Sequence, residues 1–350
     1  MLMKSSKHRL TGRNVNVAVV GLGFMGLTHL KSYEKVAGAR VVAVCDAVRK
    51  PVNGVLAGMY GNVHNLDAIR LEAEVRVYQE VESLLEDPDV ELVDICVPTA
   101  MHPALAIAAL RAGKHVICEK PIARTSREAR AVIEAIQAAK GFFMPAMCMR
   151  FWPGWAHLKD LVTKRTYGRV LAARFRRVSA PPSWSRSHYF KGRDSGGALF
   201  DLHIHDTDFI QFLFGRPRRV YATGLSRFSG AIDHVVTQYQ FKSGITVYAE
   251  GSWLLTEGFV MSYTLHFERA TVDFDSSRGS EAYRLDTENG RPRFALEHGS
   301  DGYVEELKHM VRAIQTGKPP AIVTASDALS SLEICEAEEL SIRTGRMINL

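Results

Sequence analysis

Val15-Asn16-Val17-Ala18-Val19-Val20-Gly21-Leu22-Gly23-Phe24-Met25-Gly26 is the stretch on which the reading of this chain turns. It begins as a run of β-branched and small apolar residues, the composition of a buried parallel strand. It then breaks into Gly-x-Gly-x-x-Gly at Gly21, Gly23 and Gly26. A helical pattern follows, with Leu27, Leu30, Tyr33 and Val36 at three- and four-residue steps. A second apolar run, Val41-Val42-Ala43-Val44-Cys45, closes on Asp46. Each glycine has its own task. Gly21 permits the tight turn, Gly23 lets backbone approach a pyrophosphate, and Gly26 lets helix and strand pack closely. The free N–H groups of Gly23, Phe24, Met25 and Gly26 at the helix start would face phosphate oxygens, where the helix dipole favours negative charge. Asp46 falls about 20 residues after the last glycine, where a carboxylate can accept bonds from ribose hydroxyls. Strand, glycines, helix, strand and acid in this order specify a dinucleotide site.

Working outward, the 350 residues suffice for two domains, and 46% apolar with 23% charged residues is a globular composition. No run of 18 or more apolar residues occurs, so no membrane partner is expected. The basic stretch at 1–14 lacks an apolar segment and reads as a loose tail, not a signal peptide. A net charge of +6 with no basic patch interleaved with aromatics is not a nucleic-acid signature. The five cysteines contain no C-x-x-C pair and three lie inside apolar strand runs, which suggests a reducing cytoplasm.

Between Asp46 and Val75 the composition suggests a helix with an irregular tail. Strands follow at 75–78, 92–97, 115–118 and 142–149, alternating with helices at 80–85, 104–112 and 126–140. This alternation specifies an α/β Rossmann domain with a doubly wound parallel sheet. Ligands of such sheets bind beyond the carboxyl ends of the strands. Pro98, Thr99, His102, Glu119 and Lys120 all lie at or just past such ends.

After residue 150 the pattern changes. Arg150-Phe151-Trp152-Pro153-Gly154-Trp155 reads as an aromatic hinge with two breakers, before a helix at 156–164. Residues 170–178 alternate in strand fashion, with Leu171, Ala173 and Phe175 on one side. The loop at 183–197 carries Trp184, Tyr189 and Arg193, and long loops of this kind are often functional. Gly196-Gly197 then leads into a helix ending at Gly215, in which Asp201 and His205 are four apart and share a face. Asp208 is placed on that face as well, and His203 points elsewhere. Asp201, His203, His205 and Asp208 are ligand types, but zinc takes three or four converging ligands, so no metal is expected. Strands at 220–225, 235–241, 245–254, 261–267 and 271–274, joined by short turns, specify a large, mainly antiparallel open sheet. Helices at 304–315 and 328–343, the latter capped by Thr324 or Ser326, complete an α+β second domain. The expected division is a tail at 1–14, a dinucleotide-binding domain at 15–149 and a substrate-binding and oligomerisation domain at 150–350. The final helices at 324–345 are free to pack back on the first domain.

Several segments together resemble one family. They are Asp87-Pro88-Asp89-Val90, Val97-Pro98-Thr99 with His102, Ala112-Gly113-Lys114-His115-Val116, Glu119-Lys120-Pro121, and the Gly-Gly-x-x-x-Asp-x-x-x-His run that ends at Asp201 and His205. The family is that of glucose–fructose oxidoreductase and inositol dehydrogenase (Gfo/Idh/MocA). The resemblance implies that Lys120 reaches the junction of nicotinamide and substrate, and that Thr99 and His102 border the cofactor. It implies that His205 carries the proton, with Asp201 beside it. It also implies a homodimer or homotetramer formed through the second sheet.

The expected chemistry is hydride transfer between nicotinamide and a secondary alcohol of a sugar, inositol or related polyol. His205 serves as general base or acid, because imidazole titrates near the working pH. Lys120 stabilises alkoxide charge. Arg150, Trp184, Tyr189 and Arg193 are the expected substrate contacts. Asp46 favours NAD by repelling a 2′-phosphate, while Arg49 close by keeps NADP open. Two alternatives of other classes stand beside this: a cofactor-retaining enzyme that cleaves glycosides, and a catalytically silent nucleotide-binding regulator.

Overall fold

The computed structural model describes residues 13–61, 65–182, 185–292 and 301–350. Six strands, β1 (Val15–Val20), β2 (Ala39–Cys45), β3 (Arg76–Tyr78), β4 (Leu92–Ile95), β5 (His115–Glu119) and β6 (Phe143–Ala146), form one sheet in the order β3-β2-β1-β4-β5-β6. Every neighbouring pair is parallel. The helices α1 (Phe24–Tyr33), α2 (Val81–Leu85), α3 (His102–Arg111) and α4 (Ser126–Ala138) make the crossovers. β1 is almost wholly buried, as its unbroken apolar run requires of a strand covered on both faces. The chain winds outward from β1 to β3, then returns to β4 on the other side. That reversal opens a crevice beyond the ends of β1 and β4. α4 begins with a reciprocal cap, in which the Thr125 hydroxyl accepts from the Glu128 N–H and the Glu128 carboxylate accepts from the Thr125 N–H.

The structure corrects two elements here. The helix expected after Asp46 is absent among the described residues. Asn53 and Gly54, with φ of 51° and 74°, form a tight turn that pairs Val52 with Val55. A short ribbon then joins Val55–Leu56 to Ile69–Arg70. The Asn-Gly dipeptide is a hairpin signal and outweighs the helical reading. The strand expected at 142–149 also ends early, at Ala146, and Cys148–Phe151 form a tight 3₁₀ turn.

The second half starts with α5 (Pro153–Lys164), so Pro153 opens the helix and does not break it. β7 (Val170–Ser179) follows, then two short helical turns, Arg186–Tyr189 and Gly192–Ser195. A wide π turn, Leu199–His203, runs into α6 (Ile204–Phe214). The strands β8 (Arg219–Leu225), β9 (His234–Gln240), β10 (Thr246–Ser252), β11 (Phe259–Phe267), β12 (Ala270–Asp275) and β13 (Tyr283–Thr287) come next. The chain closes with α7 (Gly302–Thr316), α8 (Ala325–Thr344) and β14 (Ile348–Asn349). The second sheet has the order β13-β12-β11-β7-β10-β9-β8-β14. Its pairs are antiparallel except β7 with β10.

One face of this sheet buries its apolar residues against α5 and α6. Trp155 of α5 is fully buried, with Phe209 and Tyr263 edge-on at 4.8 and 5.0 Å. The other face leaves Tyr221, Val236 and Tyr248 exposed. Val304, Leu307 and Val311 of α7 and Leu332 of α8 join the core of the parallel sheet. Ile334 and Ala337 of α8 join the core of the second sheet. α8 therefore packs on both cores at once.

A buried ion pair fastens three elements at this junction. Arg150, in the turn before α5, donates to Asp208 of α6 through Nε and Nη2 at 2.8 and 2.6 Å. Its Nη1 donates to the Ile322 carbonyl at 2.8 Å and to Asp327 of α8 at 3.2 Å. Removing one partner of such a pair leaves a charge buried without compensation. Asp208→Ala is therefore expected to cost about 3–5 kcal/mol, read from the shift of the urea unfolding midpoint. A loss below about 1 kcal/mol, the size of an exposed pair, would contradict this role.

Candidate active site

The glycine loop leaves β1 at the crevice. Gly21 has a φ of 91°, and a Cβ there would come within 2.6 Å of the Cys96 carbonyl oxygen. A Cβ on Gly26 would lie 1.8 Å from the Gly21 oxygen. Gly23 differs, since nothing lies within 4 Å of where its Cβ would be. Two glycines thus close the turn, and the third leaves the backbone open to a ligand. α1 has no acidic residue in its first turn, so its N-terminal dipole faces the crevice uncompensated. At the tip of β2, Asp46 accepts from the Leu22 N–H at 2.7 Å and from the N–H groups of Val48 and Arg49, both at 2.8 Å. Arg49 folds back toward the loop, donating to the Ala57 carbonyl at 2.6 Å and to the Leu22 carbonyl. These residues fit a dinucleotide: an open backbone, a helix N-terminus and a half-buried carboxylate on one edge.

Past β4, Pro98 leads into a 3₁₀ turn that buries Thr99. His102 is buried, with Nδ1 2.7 Å from the Pro121 oxygen and Nε2 2.7 Å from the Val97 oxygen. It ties the end of β4 to the loop after β5, and both ring nitrogens are taken up by backbone.

Lys120 follows β5. Its Nζ donates to the Asp201 carbonyl at 2.6 Å and to Asp201 Oδ1 at 2.9 Å, across 81 residues of chain. The Lys120 side chain keeps 12% exposure and that of Asp201 keeps 23%. Glu119 accepts the Lys120 N–H through Oε2 at 3.0 Å. One open cavity is lined by Phe24, Met25, Glu119, Lys120, Asp201 and His205. The cofactor loop and both chemistry-bearing halves therefore open onto the same space. Burial first, and then the charges of Lys120 and Arg177, hold the His205 imidazole well below its ordinary value of 6.5.

Not every expected residue reaches this cavity. Tyr189 lines it, edge-on to Trp253 at 6.0 Å. Arg150 does not, because its guanidinium is buried on Asp208. Asp208 turns to that arginine and not to the face shared by Asp201 and His205. Arg193 is 96% exposed and points into solvent. Trp184 lies outside the described residues. His203 points away, as expected from its offset, with Nε2 3.1 Å from the Tyr239 hydroxyl. Asp201 and His205 open on the cavity while His203 and Asp208 turn to other partners, so the four do not form one ligand set.

The cavity also contains residues not anticipated from the sequence. Arg177 of β7 donates to Asp206 from Nε at 2.9 Å and from Nη2 at 3.1 Å, with both side chains buried. Among the described residues its Nη1 meets the Met261 sulfur, at 3.4 Å. Trp152, Trp253, Phe259 and Met261 supply apolar walls. A signal for Arg177 existed. Leu171 is exposed, but the inward alternation from Ala173 through Phe175 continues to Arg177.

A base that is already neutral at neutral pH loses activity only when acid protonates it. If His205 takes the substrate proton, as the resemblance implies, the acid limb of the kcat/KM profile is expected to lie below pH 6.5. His205→Asn should remove that limb. An acid limb above 6.5 in the parent enzyme would contradict the assignment.

Comparison with known proteins identifies the family and the fold. The family model GFO_IDH_MocA, described as an oxidoreductase family with an NAD-binding Rossmann fold, matches residues 15–147. The GFO/IDH/MocA C-terminal domain matches residues 155–273. The myo-inositol 2-dehydrogenase of Thermotoga maritima is 27% identical over 348 residues, covering 96% of this chain and 98% of that protein. The inositol 2-dehydrogenase of Rhizobium meliloti is 29% identical, covering 96% and 99%. A solved levoglucosan dehydrogenase in complex with NADH and levoglucosan shares the fold, with a TM-score of 0.81 at 23% identity, covering 96% of this chain and 99% of that one. The chain belongs to the GFO/IDH/MocA family of NAD-binding oxidoreductases.

Proposed function

We propose that this family member is a dehydrogenase that moves hydride between nicotinamide C4 and a secondary alcohol of a sugar, inositol or related polyol. The observation that carries the reading is the contact of Lys120 with Asp201, in a cavity that also holds His205 and the start of α1. Gly21, Gly23 and Gly26, with the N-terminus of α1, would hold the pyrophosphate, and Asp46 the adenosine ribose. Asp46 on that edge supports NAD, and Arg49 beside it leaves NADP as the second candidate. NAD, when bound, supplies the acceptor for the hydride.

The protein's own residues do the rest. In oxidation the carbinol C–H leaves as hydride and the O–H proton passes to His205. The neutral imidazole is ready for that proton without prior loss of its own. The Lys120 ammonium donates to the same oxygen and stabilises the charge that builds on it. Asp201 holds the ammonium by carbonyl and carboxylate together, which fixes the aim of Nζ. In reduction the same proton returns from His205. Trp152, Tyr189 and Trp253 offer flat apolar walls for the C–H face of a ring, and Arg177 a buried donor for its hydroxyls.

Several relatives are dehydrogenases of inositols and sugars, scyllo-inositol and D-apiose among them, and that supports the substrate class proposed here. The exposed face of the second sheet supports a homodimer or homotetramer. Tyr221 pairs with Gln238 and Gln238 with Tyr248, which places two large exposed rings in one row across three strands.

Incubating the protein with NAD or NADP and a panel of inositols, aldoses, apiose and levoglucosan should yield reduced nicotinamide with at least one polyol. Lys120→Ala and His205→Ala should each cut that turnover by roughly a hundredfold or more. Near-parent rates in both variants would overturn the assignment. Turnover of a glycoside with no net reduced cofactor would favour the glycoside-cleaving alternative.

A further inference from the structure

His29 stands in the middle of α1, three residues after Gly26, and is fully buried without lining the cavity. Its Nδ1 lies 2.9 and 3.1 Å from the two carboxylate oxygens of Asp94 on β4. Its Nε2 lies 3.2 Å from Glu119 Oε1 at the end of β5, an ion-pair contact that is off the hydrogen-bond line. Glu306 of α7 faces the same nitrogen at 3.9 Å. Cys96 is 3.4 Å from Nδ1, and the Tyr303 ring is centred 6.2 Å away. Tyr33, buried and electrostatically coupled to Asp94 and His29, completes the group. One imidazole thus faces three carboxyl groups from three different elements.

Burial pulls His29 down, but Asp94 and then Cys96 outweigh it and hold the imidazole well above 6.5. Burial pushes Glu306 far above the usual carboxyl range. The ring sits between the carboxyl groups of Asp94 and Glu119, and a polar group so deeply buried is retained only with such partners. Glu119 uses its other oxygen, Oε2, to accept the N–H of Lys120 at 3.0 Å. The chain of contacts runs from the helix that bears the glycine loop, through His29 and Glu119, to the backbone of Lys120.

We propose that His29 is a positioning residue of the active site. It holds Glu119, and through Glu119 the backbone of Lys120, at a fixed spacing from the helix that receives the cofactor phosphates. The proposal rests on the reading of Lys120 given above. His29 touches neither the cavity nor a reacting atom, so it acts only through Glu119.

The test is a double-mutant cycle on the full-length protein, with NAD and the panel polyol of highest turnover. His29→Gln should lower kcat between roughly ten- and a hundredfold, the scale of a misplaced group, with KM for the polyol changed less than about threefold. Glu119→Gln removes the group through which His29 acts but keeps an oxygen for the Lys120 N–H. Adding His29→Gln to Glu119→Gln should therefore lower kcat no more than about threefold further. Two losses that multiply, or a His29→Gln enzyme with a lower melting temperature and an unchanged kcat per folded molecule, would overturn the proposal. Should His29→Gln fail to fold, Asp94→Asn serves instead. It weakens the hold on the imidazole and should lower kcat in the same direction, and an unchanged kcat would again overturn the role. Lys120→Ala separates the two levels. If it is inactive while His29→Gln is normal, only the role of His29 falls. If it keeps full turnover, the reading of the site falls as well.

Discussion

Lys120 Nζ donates at once to the carbonyl and the carboxylate of Asp201, and this contact joins two halves of the chain into one site. Its two ends are built by unrelated means. Lys120 is carried by the carboxyl end of a parallel strand, beside the point where the sheet reverses its winding. Asp201 is carried by a π turn that opens α6, a form common at functional sites. Each residue's partner is carried by the other half, so the cavity depends on how the halves are held together. That is the task of α8, which packs on both cores, and of Arg150, which links the turn before α5 to α6 and α8.

Buried charge is a recurrent feature around the site. Arg177 pairs with Asp206, Arg150 pairs with Asp208, and His29 lies between Asp94 and Glu119. Such pairs are costly to desolvate and contribute more to placement than to stability. In the proposed reading they leave a single ammonium, that of Lys120, and one neutral imidazole, that of His205, facing the reacting atoms. The cations of Lys120 and Arg177 also help burial to keep His205 unprotonated.

The parts legible in the sequence were those whose physics is local. Gly21 and Gly26 are required by contacts within one turn and the strand beside it, with Gly23 open between them, so the spacing is a local signal. The alternation of strand and helix, the cap at Thr324 and the stop at Gly345 follow from near neighbours in the same way. Asp201 and His205, four apart on one turn, needed only helical spacing. Residues decided by distant partners were not legible. Arg150 has the chemistry of a substrate contact, yet Asp208, 58 residues away, buries it. Arg193 looks equivalent in sequence and lies in solvent. Arg177 was not anticipated, although strand alternation carried a signal for its inward position, and its pairing with Asp206 depends on how β7 meets α6. The stretch after Asp46 failed for a local reason, since its Asn-Gly turn was the stronger signal.

The most direct measurement is a crystal structure with NAD and a polyol that the protein turns over. Lys120 Nζ and a ring nitrogen of His205 should both lie about 2.6–3.2 Å from one carbinol oxygen, with the carbon of that carbinol facing nicotinamide C4. A complex in which the nicotinamide ring lies outside this cavity, or in which the polyol oxygen nearest C4 touches neither residue, would contradict the proposed site.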